Sequence, residues 1–320
     1  MQWPSPSPDG SCDLPVDLRP EVRVWADAWL TKTVQLIRFL DPVCGGWLSE
    51  NESSLLVSLS SVLPCRSTVV EIGSYMGRST RYLTAGTRYS RSRLVCIDPF
   101  MALGEGEPEE YQKHYRKLSP QGSLGSFNWN MGLVFPNDEE TQHVYVWQST
   151  SHKEAKAWSH APSMSPIDLI FIDGNHQEAY EDVVAWEPHL ASHAMIALHD
   201  TTCGGIYGPH GPDNTVFLIQ QERGWKAWQR VDSITCLVRD EGDFWKTRFE
   251  SAAEGRHAPG DGPSGTEREA ERRDAPRSQP GPSDPDADGG LVRDTAGVDH
   301  SRCHGGDDAA SSDGSHDAAR

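Results

Sequence analysis

The stretch VVEIGSYMGRST, residues 69–80, decides the fold of this 320-residue chain. An apolar run ends at a carboxylate, Glu71, and two glycines, Gly73 and Gly77, follow it closely. A buried strand followed at once by a glycine-containing bend is typical of the first strand–helix turn of a parallel α/β sheet. Gly73 would let the backbone approach a ligand, and Gly77 would let the next helix pack closely on the strand.

Similar apolar runs recur along the chain and alternate with helical patterns. A crossover helix is predicted at 180–190 from apolar spacing of three and four residues. Continuous apolar strands separated by helices predict an α/β fold with a Rossmann-like, mostly parallel sheet and helices on both faces. The predicted strands after the first are LVCIDPF (94–100), HVYVW (143–147), IDLIFIDG (167–174), AMIALHD (194–200), 225–231 and SITCLVR (233–239).

The segments before the first strand are predicted to be helical. One helix is expected over 24–40, and a second begins at Ser49, because Ser49 and Glu52 have the spacing of a capping box. We therefore expect an N-terminal helical extension at 1–44 and one domain at 45–245. Residues 101–140 form a long excursion after the second strand, whose structure the sequence does not predict.

The end of the chain differs in composition from the rest. Residues 251–320 contain no Phe, Trp, Tyr, Ile or Met. Such a segment cannot bury enough apolar surface to offset the entropy lost on ordering. The composition predicts a disordered low-complexity tail, in which His300, His304, His316 and Cys303 are solvated.

Charge and composition also limit the function classes. The net charge of −18 argues against a nucleic-acid partner, and no apolar run is long enough to span a membrane. The N-terminus lacks the basic and apolar regions of a secretory signal. Seven cysteines are scattered without a CxxC pair, which favours reduced thiols and a cytoplasmic protein.

Polar side chains collect where the predicted strands end, at the edge where open parallel sheets bind ligands. Asp98 follows the second strand, where a carboxylate can accept both ribose hydroxyls of an adenosine cofactor, and Ser149 follows the third. Asp173 and His176 follow the fourth strand, and the fifth ends at His199 and Asp200.

The turn after the first strand discriminates between adenosine cofactors. A dinucleotide fingerprint needs three glycines, and this chain has Tyr75 and Arg78 at the remaining two positions. A carboxylate at Glu71 suits a cationic amine better than a pyrophosphate. S-adenosylmethionine carries such an amine and has no phosphate, so the sequence favours it as the cofactor.

These motifs, with IDGNH and LHD as the most specific pair, resemble class I S-adenosylmethionine-dependent methyltransferases, in particular methyltransferase family 24. The resemblance covers about residues 45–240. It implies a seven-stranded Rossmann-like sheet and a cofactor site that includes Glu71, Gly73, Ser74, Gly77 and Asp98, to which we add Ser149. Ser192 and His193 replace a Gly-Gly pair that many members carry before the fifth strand, a departure expected to alter only a turn.

The resemblance also suggests how the acceptor side works. Related O-methyltransferases bind a divalent cation at positions that correspond to Asp173, His199 and Asp200, where Mg²⁺ or another divalent cation would activate a hydroxyl. A histidine at 199 departs from the oxygen ligands that Mg²⁺ prefers. His176, with an unperturbed pKa of about 6.5, is a candidate general base beside Asp173. The alternative is that both aspartates cap helices and both histidines bond the backbone.

The resulting prediction is O-methylation of a small molecule of the sugar or secondary-metabolite type. The alternatives are a nicotinamide-dependent oxidoreductase on a similar sheet and a non-catalytic protein that retains the fold. The glycine-rich loop 203–214 is expected to contact substrate, with His210 on the surface. The identity of the acceptor and the oligomeric state stay open.

Overall fold

The computed structural model describes residues 20–100, 122–158, 160, 166–239 and 243–257. These residues fall within the first of two units of the chain, Met1–Ala258. The predicted tail from 258 onward and the first part of the predicted excursion, 101–121, lie outside the described residues. The strands are β1 (Thr68–Ile72), β2 (Arg93–Asp98), β3 (Val144–Gln148), β4 (Ile167–Ile172), β5 (Leu190–Leu198), β6 (Lys226–Val231) and β7 (Ile234–Val238).

The helices stand before and between the strands. Short 3₁₀ helices occur at Asp41–Val43, His176–Glu178 and Glu187–His189. The later part of the predicted excursion contains two of the α-helices. The α-helices are α1 (Pro20–Leu40), α2 (Glu50–Ser61), α3 (Arg78–Ser90), α4 (Gly122–Val134), α5 (Asp138–Thr141), α6 (Ser151–Trp158), α7 (Ala179–Trp186), α8 (Pro212–Arg223) and α9 (Asp243–His257).

The seven strands form one sheet in the order β3-β2-β1-β4-β5-β7-β6. The first five strands in this order pair in parallel, and β7 is antiparallel to both β5 and β6. The predicted seven-stranded, mostly parallel sheet is confirmed. In the parallel part, the carboxyl ends of the strands meet at a common edge.

Two cores lie on opposite faces of the sheet, as the alternation of side chains along β1 requires. Val69 belongs to a cluster with Leu56 of α2 and Leu83 of α3. Val70, the next residue, belongs to a second cluster with Trp158 of α6 and Val183 of α7. The prediction of helices on both faces is therefore confirmed.

Helix α2 begins as the capping box predicts. The Ser49 side chain accepts a hydrogen bond from the Glu52 N–H at 3.1 Å, and the Ser49 N–H donates to the Glu52 carboxylate at 2.8 Å. Reciprocal capping of this kind satisfies two backbone donors at the start of the helix. Glu52 is buried, so it also has contacts deeper in the molecule.

Helix α1 is anchored to α3 by a buried ionic network around Asp41. The Asp41 carboxylate lies 2.7 Å from Nη2 of Arg81 and accepts a hydrogen bond from the Tyr82 hydroxyl at 2.6 Å. Arg81 has no exposed surface, and Ile37 of α1 belongs to the main core. The predicted boundary between an extension and a domain at residues 44 and 45 stays a prediction.

Helix α9 extends the folded part of the chain beyond the predicted limit. Trp245 is fully buried, and its Nε1–H donates to the His193 carbonyl at 2.9 Å. The helix continues to His257, into the first residues of the segment predicted to be disordered, and the disordered tail itself stays a prediction. Ser192 and His193 lie within β5, and His193 Nε2 lies 2.9 Å from Asp168 Oδ1; the departure there is more than a change of turn.

The described cysteines differ in oxidation state. Cys44, Cys96, Cys203 and Cys236 are free, whereas Cys65 is disulfide-bonded, so the expectation of reduced cysteines is wrong for Cys65. Among the described helices, none has the length and apolar character needed to cross a membrane.

We expect Asp41→Ala to lower the free energy of unfolding by about 3–5 kcal/mol, because it leaves the buried Arg81 charge without its carboxylate. Asp27→Ala, within α1, is the matched control. Asp27 accepts a hydrogen bond from the Tyr89 hydroxyl, but its side chain is 39% exposed, so its loss should cost less than about 1 kcal/mol. Urea denaturation measures both variants, and equal losses would show that the Asp41 network does not anchor α1.

Candidate active site

The carboxyl ends of β1, β2, β4 and β5 are joined by backbone hydrogen bonds that continue past the strands. The Gly73 N–H donates to the Ile97 carbonyl at 2.9 Å, and the Asp173 N–H donates to the Ile72 carbonyl at 2.9 Å. The His199 N–H donates to the carbonyl of Ile172 at 3.1 Å. These hydrogen bonds therefore fix the backbone positions of the predicted site residues that follow the strands.

Gly73 permits the closest of these approaches. Its φ is +87°, and a Cβ at this position would lie 2.2 Å from the carbonyl oxygen of Asp173. The glycine is thus required by contact between two turns of the protein, before any ligand is considered. Gly77 has a φ of +84°, and a Cβ there would lie 3.1 Å from the Phe127 ring of α4, so its tight contact is with α4 and not with the strand.

Glu71 is fully buried on the α3 side of β1. Its carboxylate accepts hydrogen bonds from the hydroxyls of Ser74 at 2.8 Å, Ser79 at 2.6 Å and Thr80 at 2.6 Å. Burial raises the pKa of Glu71, and the three hydroxyls oppose that rise. In this arrangement Glu71 and Ser74 hold the turn together, and their contact with a cofactor stays a prediction.

Asp98 also holds the turn that follows β1. Its carboxylate accepts hydrogen bonds from the Tyr75 N–H at 2.8 Å and the Phe100 N–H at 2.6 Å. Burial raises the pKa of Asp98 despite these N–H groups. The Ser149 N–H donates to the Asp98 carbonyl at 3.1 Å, while the buried Ser149 Oγ has no hydrogen-bond partner among the described residues. Asp98 and Ser149 therefore lie side by side at the end of β2 and β3, as predicted.

Four predicted residues come together at the ends of β4 and β5. Potential ligand atoms of Asp173, His176, His199 and Asp200 all lie within 4.8 Å of one another. His176 Nε2 is 3.1 Å from Asp200 Oδ2 and 3.5 Å from Asp173 Oδ1. Asp200 has a φ of +56°, a left-handed conformation that is uncommon outside glycine and that clusters at functional sites.

The two carboxylates control the proton on His176. Burial lowers the pKa of His176, but the carboxylates of Asp173 and Asp200 outweigh burial and raise that pKa to about 9. The imidazole is then protonated at pH 7 and is a proton donor in this arrangement. A cation bound between the two carboxylates would lower the pKa of His176 again. The predicted role of His176 as a base requires such a fall, because only the neutral imidazole can accept a proton.

Asp173 does not cap the short helix that follows β4, which was the alternative to a role in the site. The 3₁₀ helix His176–Glu178 is capped by Asn175, whose Oδ1 accepts a hydrogen bond from the Gln177 N–H at 3.1 Å. The carboxylate of Asp173 points instead to His176 and His199. Burial raises the pKa of Asp173, but the nearby histidines outweigh it and lower that pKa.

Glu52 belongs to this site, although the sequence suggested only its capping role. His199 Nδ1 lies 2.9 Å from Asp173 Oδ1, and His199 Nε2 lies 3.6 Å from Glu52 Oε2. Burial raises the pKa of Glu52, but His199, Ser233 and Ser49 outweigh it and lower the pKa to about 2. The Ser-x-x-Glu spacing in the sequence predicts the start of the helix, but it does not indicate that Glu52 contacts His199 at the end of β5.

Tyr207 is a second site residue that was not singled out individually. Its ring stacks on His176 with ring centroids 4.5 Å apart and an interplanar angle of 27°. Gly204, Gly205 and Gly208 have positive φ and allow the loop to bend over the cluster. His210, predicted to lie on the surface, has a side chain that is 45% exposed and pairs with Glu181.

Comparisons with known proteins bear on the fold and the family. Residues 70–201 match the family model of methyltransferase family 24, described as a methyltransferase domain. No curated protein sequence matches the chain. Among solved structures, the chain is similar to the O-methyltransferase TomG from Streptomyces achromogenes, with 17% identity, a TM-score of 0.45, and coverage of 66% of this chain and 88% of that chain.

Two further structures show the same degree of likeness. An O-methyltransferase from Bacillus cereus has 18% identity and a TM-score of 0.45, over 66% of this chain and 90% of that chain. CalS11, a TDP-rhamnose 3'-O-methyltransferase of calicheamicin biosynthesis, has 16% identity and a TM-score of 0.44, over 70% of this chain and 96% of that chain. The family match runs from within β1 to just past the end of β5, and it confirms the resemblance to methyltransferase family 24 that the motifs indicated.

Proposed function

We propose that the protein transfers a methyl group from S-adenosylmethionine to a hydroxyl group of a small molecule. The observation that carries the proposal is the placement of two different polar sites along one edge of the sheet, within the segment that matches the methyltransferase family. Asp98 and Ser149 lie at one site, and Asp173, His176 and Asp200 lie at the other. A methyl transfer needs a cofactor site and an acceptor site next to each other.

The first of these sites suits an adenosine cofactor without a pyrophosphate. Asp98 is 8% exposed, and the Ser149 Oγ beside it has no hydrogen-bond partner among the described residues. Tyr75 and Arg78 occupy positions where a dinucleotide fingerprint has glycines, which argues against the nicotinamide alternative. Asp98 and Ser149 would bind the ribose and its surroundings, with Gly73, Ser74 and Gly77 shaping the turn.

The second site suits a hydroxyl acceptor. In the reaction the bond between sulfur and the methyl group breaks as a bond from the acceptor oxygen to that methyl group forms. The hydroxyl proton has to leave, and Asp173, His176 and Asp200 are the groups that would orient the hydroxyl and take the proton. Catalysis would come from positioning and deprotonation, because displacement at carbon leaves the protein little covalent chemistry to perform.

The same residues fit a divalent cation in charge and approximate size. Ligands about 2.0–2.2 Å from such an ion lie up to about 4.4 Å apart, close to the 4.8 Å span of this cluster. Carboxylates mixed with imidazole suit a transition ion better than Mg²⁺. Asp173, Asp200 and His176 would hold the ion, whereas both His199 nitrogens already face carboxylates. When bound, the ion would lower the pKa of the acceptor hydroxyl.

We expect S-adenosylhomocysteine to bind the protein with micromolar affinity in calorimetry, and NAD not to bind. Asp98→Ala should weaken that binding by about 1.5–3 kcal/mol, the range for hydrogen bonds to a charged group. Asp168→Ala is the matched control: it also removes a carboxylate that accepts a backbone N–H, from Thr68 at 2.8 Å, but near the start of β4. NAD binding without a response to S-adenosylhomocysteine would contradict the proposal, and binding without transfer would favour a non-catalytic protein.

Asp173→Asn and His176→Ala should each lower methyl transfer by about 10²–10⁴-fold while cofactor affinity stays within a few-fold, since both residues act on the acceptor. Label transfer from S-adenosylmethionine into a metabolite extract measures the rate. His189→Ala, at the start of β5, controls for loss of an imidazole and should transfer normally. If a cation is involved, a chelator should abolish transfer and Mn²⁺ or Mg²⁺ should restore it. Normal transfer by both variants would contradict the assignment of the acceptor site.

Tyr207→Ala should lower methyl transfer by about 2–12-fold, which corresponds to the 0.5–1.5 kcal/mol of an aromatic contact with His176. Tyr207→Phe keeps the ring and should stay close to the native rate. The same labelled assay compares the two variants. A Phe variant as slow as the Ala variant would show that the hydroxyl of Tyr207, and not its stacking, matters.

A further inference from the structure

We infer that Glu52 is a positioning residue of the acceptor site, acting through His199 on the carboxylate of Asp173. The inference rests on the proposed function and adds a residue from α2, outside the segment that matches the methyltransferase family. Glu52 is 4% exposed and meets the cluster at His199, so its influence on Asp173 passes through that imidazole.

His199 is placed as a bridge and not as a reacting group. Its side chain is 4% exposed, and each ring nitrogen faces a different carboxylate, Asp173 at 2.9 Å and Glu52 at 3.6 Å. Rotation of the ring would break its 2.9 Å contact with Asp173 and move Nε2 away from Glu52, so the two carboxylates together fix its orientation. The His199 ring therefore holds Asp173 Oδ1, the same oxygen that lies 3.5 Å from His176 Nε2.

Glu52 is itself held from several directions. Its Oε1 accepts hydrogen bonds from the Ser233 N–H at 2.8 Å and the Ser233 hydroxyl at 2.6 Å. Its Oε2 accepts the Ser49 N–H at 2.8 Å. A carboxylate with this many donors has little freedom to move, which is the property that a positioning residue needs.

The same contacts close a ring around the end of β5. The Ser233 carbonyl accepts hydrogen bonds from the Thr201 N–H at 2.9 Å and the Thr201 hydroxyl at 2.7 Å. Thr201 directly follows Asp200. The closed series of contacts therefore leads from Glu52 to His199, along the chain to Thr201, and back to Glu52 through Ser233. Both sides of the strained Asp200 position are thus fixed by α2 and the β6–β7 turn.

A purely structural role for Glu52 is the alternative, because the residue also completes the capping box. The two roles are separable, since Ser49 shares the cap and has no contact with His199. Ser49→Ala removes the cap hydroxyl, and Glu52→Gln removes the charge that faces His199. Glu52→Asp, which keeps the charge on a shorter side chain, replaces the Gln variant if that variant does not fold.

The test measures label transfer from S-adenosylmethionine into a metabolite extract at varied cofactor concentration. Glu52→Gln should lower kcat by about 10–100-fold with an unchanged KM for the cofactor, because a displacement of about 1 Å can cost 10²-fold. Ser49→Ala should keep kcat within about twofold, at a similar or larger loss of Tm. Native kcat in Glu52→Gln, or an equal loss in Ser49→Ala, would overturn the inference.

A double-mutant cycle and a crystal structure complete the test. His199→Asn combined with Glu52→Gln should be no slower than His199→Asn alone, since Glu52 acts through that ring. In crystals of Glu52→Gln the His199 Nδ1 to Asp173 Oδ1 contact should lengthen beyond hydrogen-bond distance; an unchanged contact would overturn the inference. This readout needs no acceptor. If the native protein neither binds S-adenosylhomocysteine nor transfers label, the proposed function fails and the crystal result still decides the role of Glu52.

Discussion

The site depends on one close contact, the approach of the turn after β1 to the turn after β4. A Cβ at residue 73 would lie 2.2 Å from the Asp173 carbonyl oxygen, so only glycine permits this distance. The contact sets Asp173 against the end of β1, and the next backbone bond sets His199 against β4. Both polar sites therefore take their separation from the sheet and not from flexible side chains. Any larger residue at 73 would push apart the two turns that bear them.

Buried carboxylates near this contact differ in role because their donors differ. Glu71 is surrounded by three hydroxyls and stabilises the turn from within. Asp98 accepts two backbone N–H groups and keeps part of its surface at the edge of the sheet. Asp173 faces two imidazoles, and its pKa is lowered. Four acidic residues near the ends of the strands thus differ in the groups that contact them, and these contacts are the basis of the different roles proposed for them.

The parallel sheet, the capping box of α2 and the gathering of polar residues at the strand ends could be predicted, because each follows from local pattern and chain direction. Contacts between distant segments could not. Nothing in the spacing near Glu52 indicates a histidine in β5, and nothing in the composition after residue 251 indicates that a helix begun at Asp243 continues there. The predicted ligand contact of Glu71 rested on its position after an apolar run, whereas the side chain direction along β1 sends it toward α3.

The balance of charge at the proposed acceptor site favours a neutral acceptor. Two carboxylates, Asp173 and Asp200, face two imidazoles whose pKa values burial lowers but these carboxylates raise, to about 9 for His176 and well above the usual value for His199. The four groups nearly cancel at pH 7, so a neutral hydroxyl enters without leaving an unpaired charge. The hydroxyl proton can leave only if one group of the cluster takes it up, or if an imidazole has first lost a proton. The Tyr207 ring stacks on His176 and covers one face of the imidazole, so the contacts that decide where the proton goes lie in the plane of that ring, with Asp173 and Asp200.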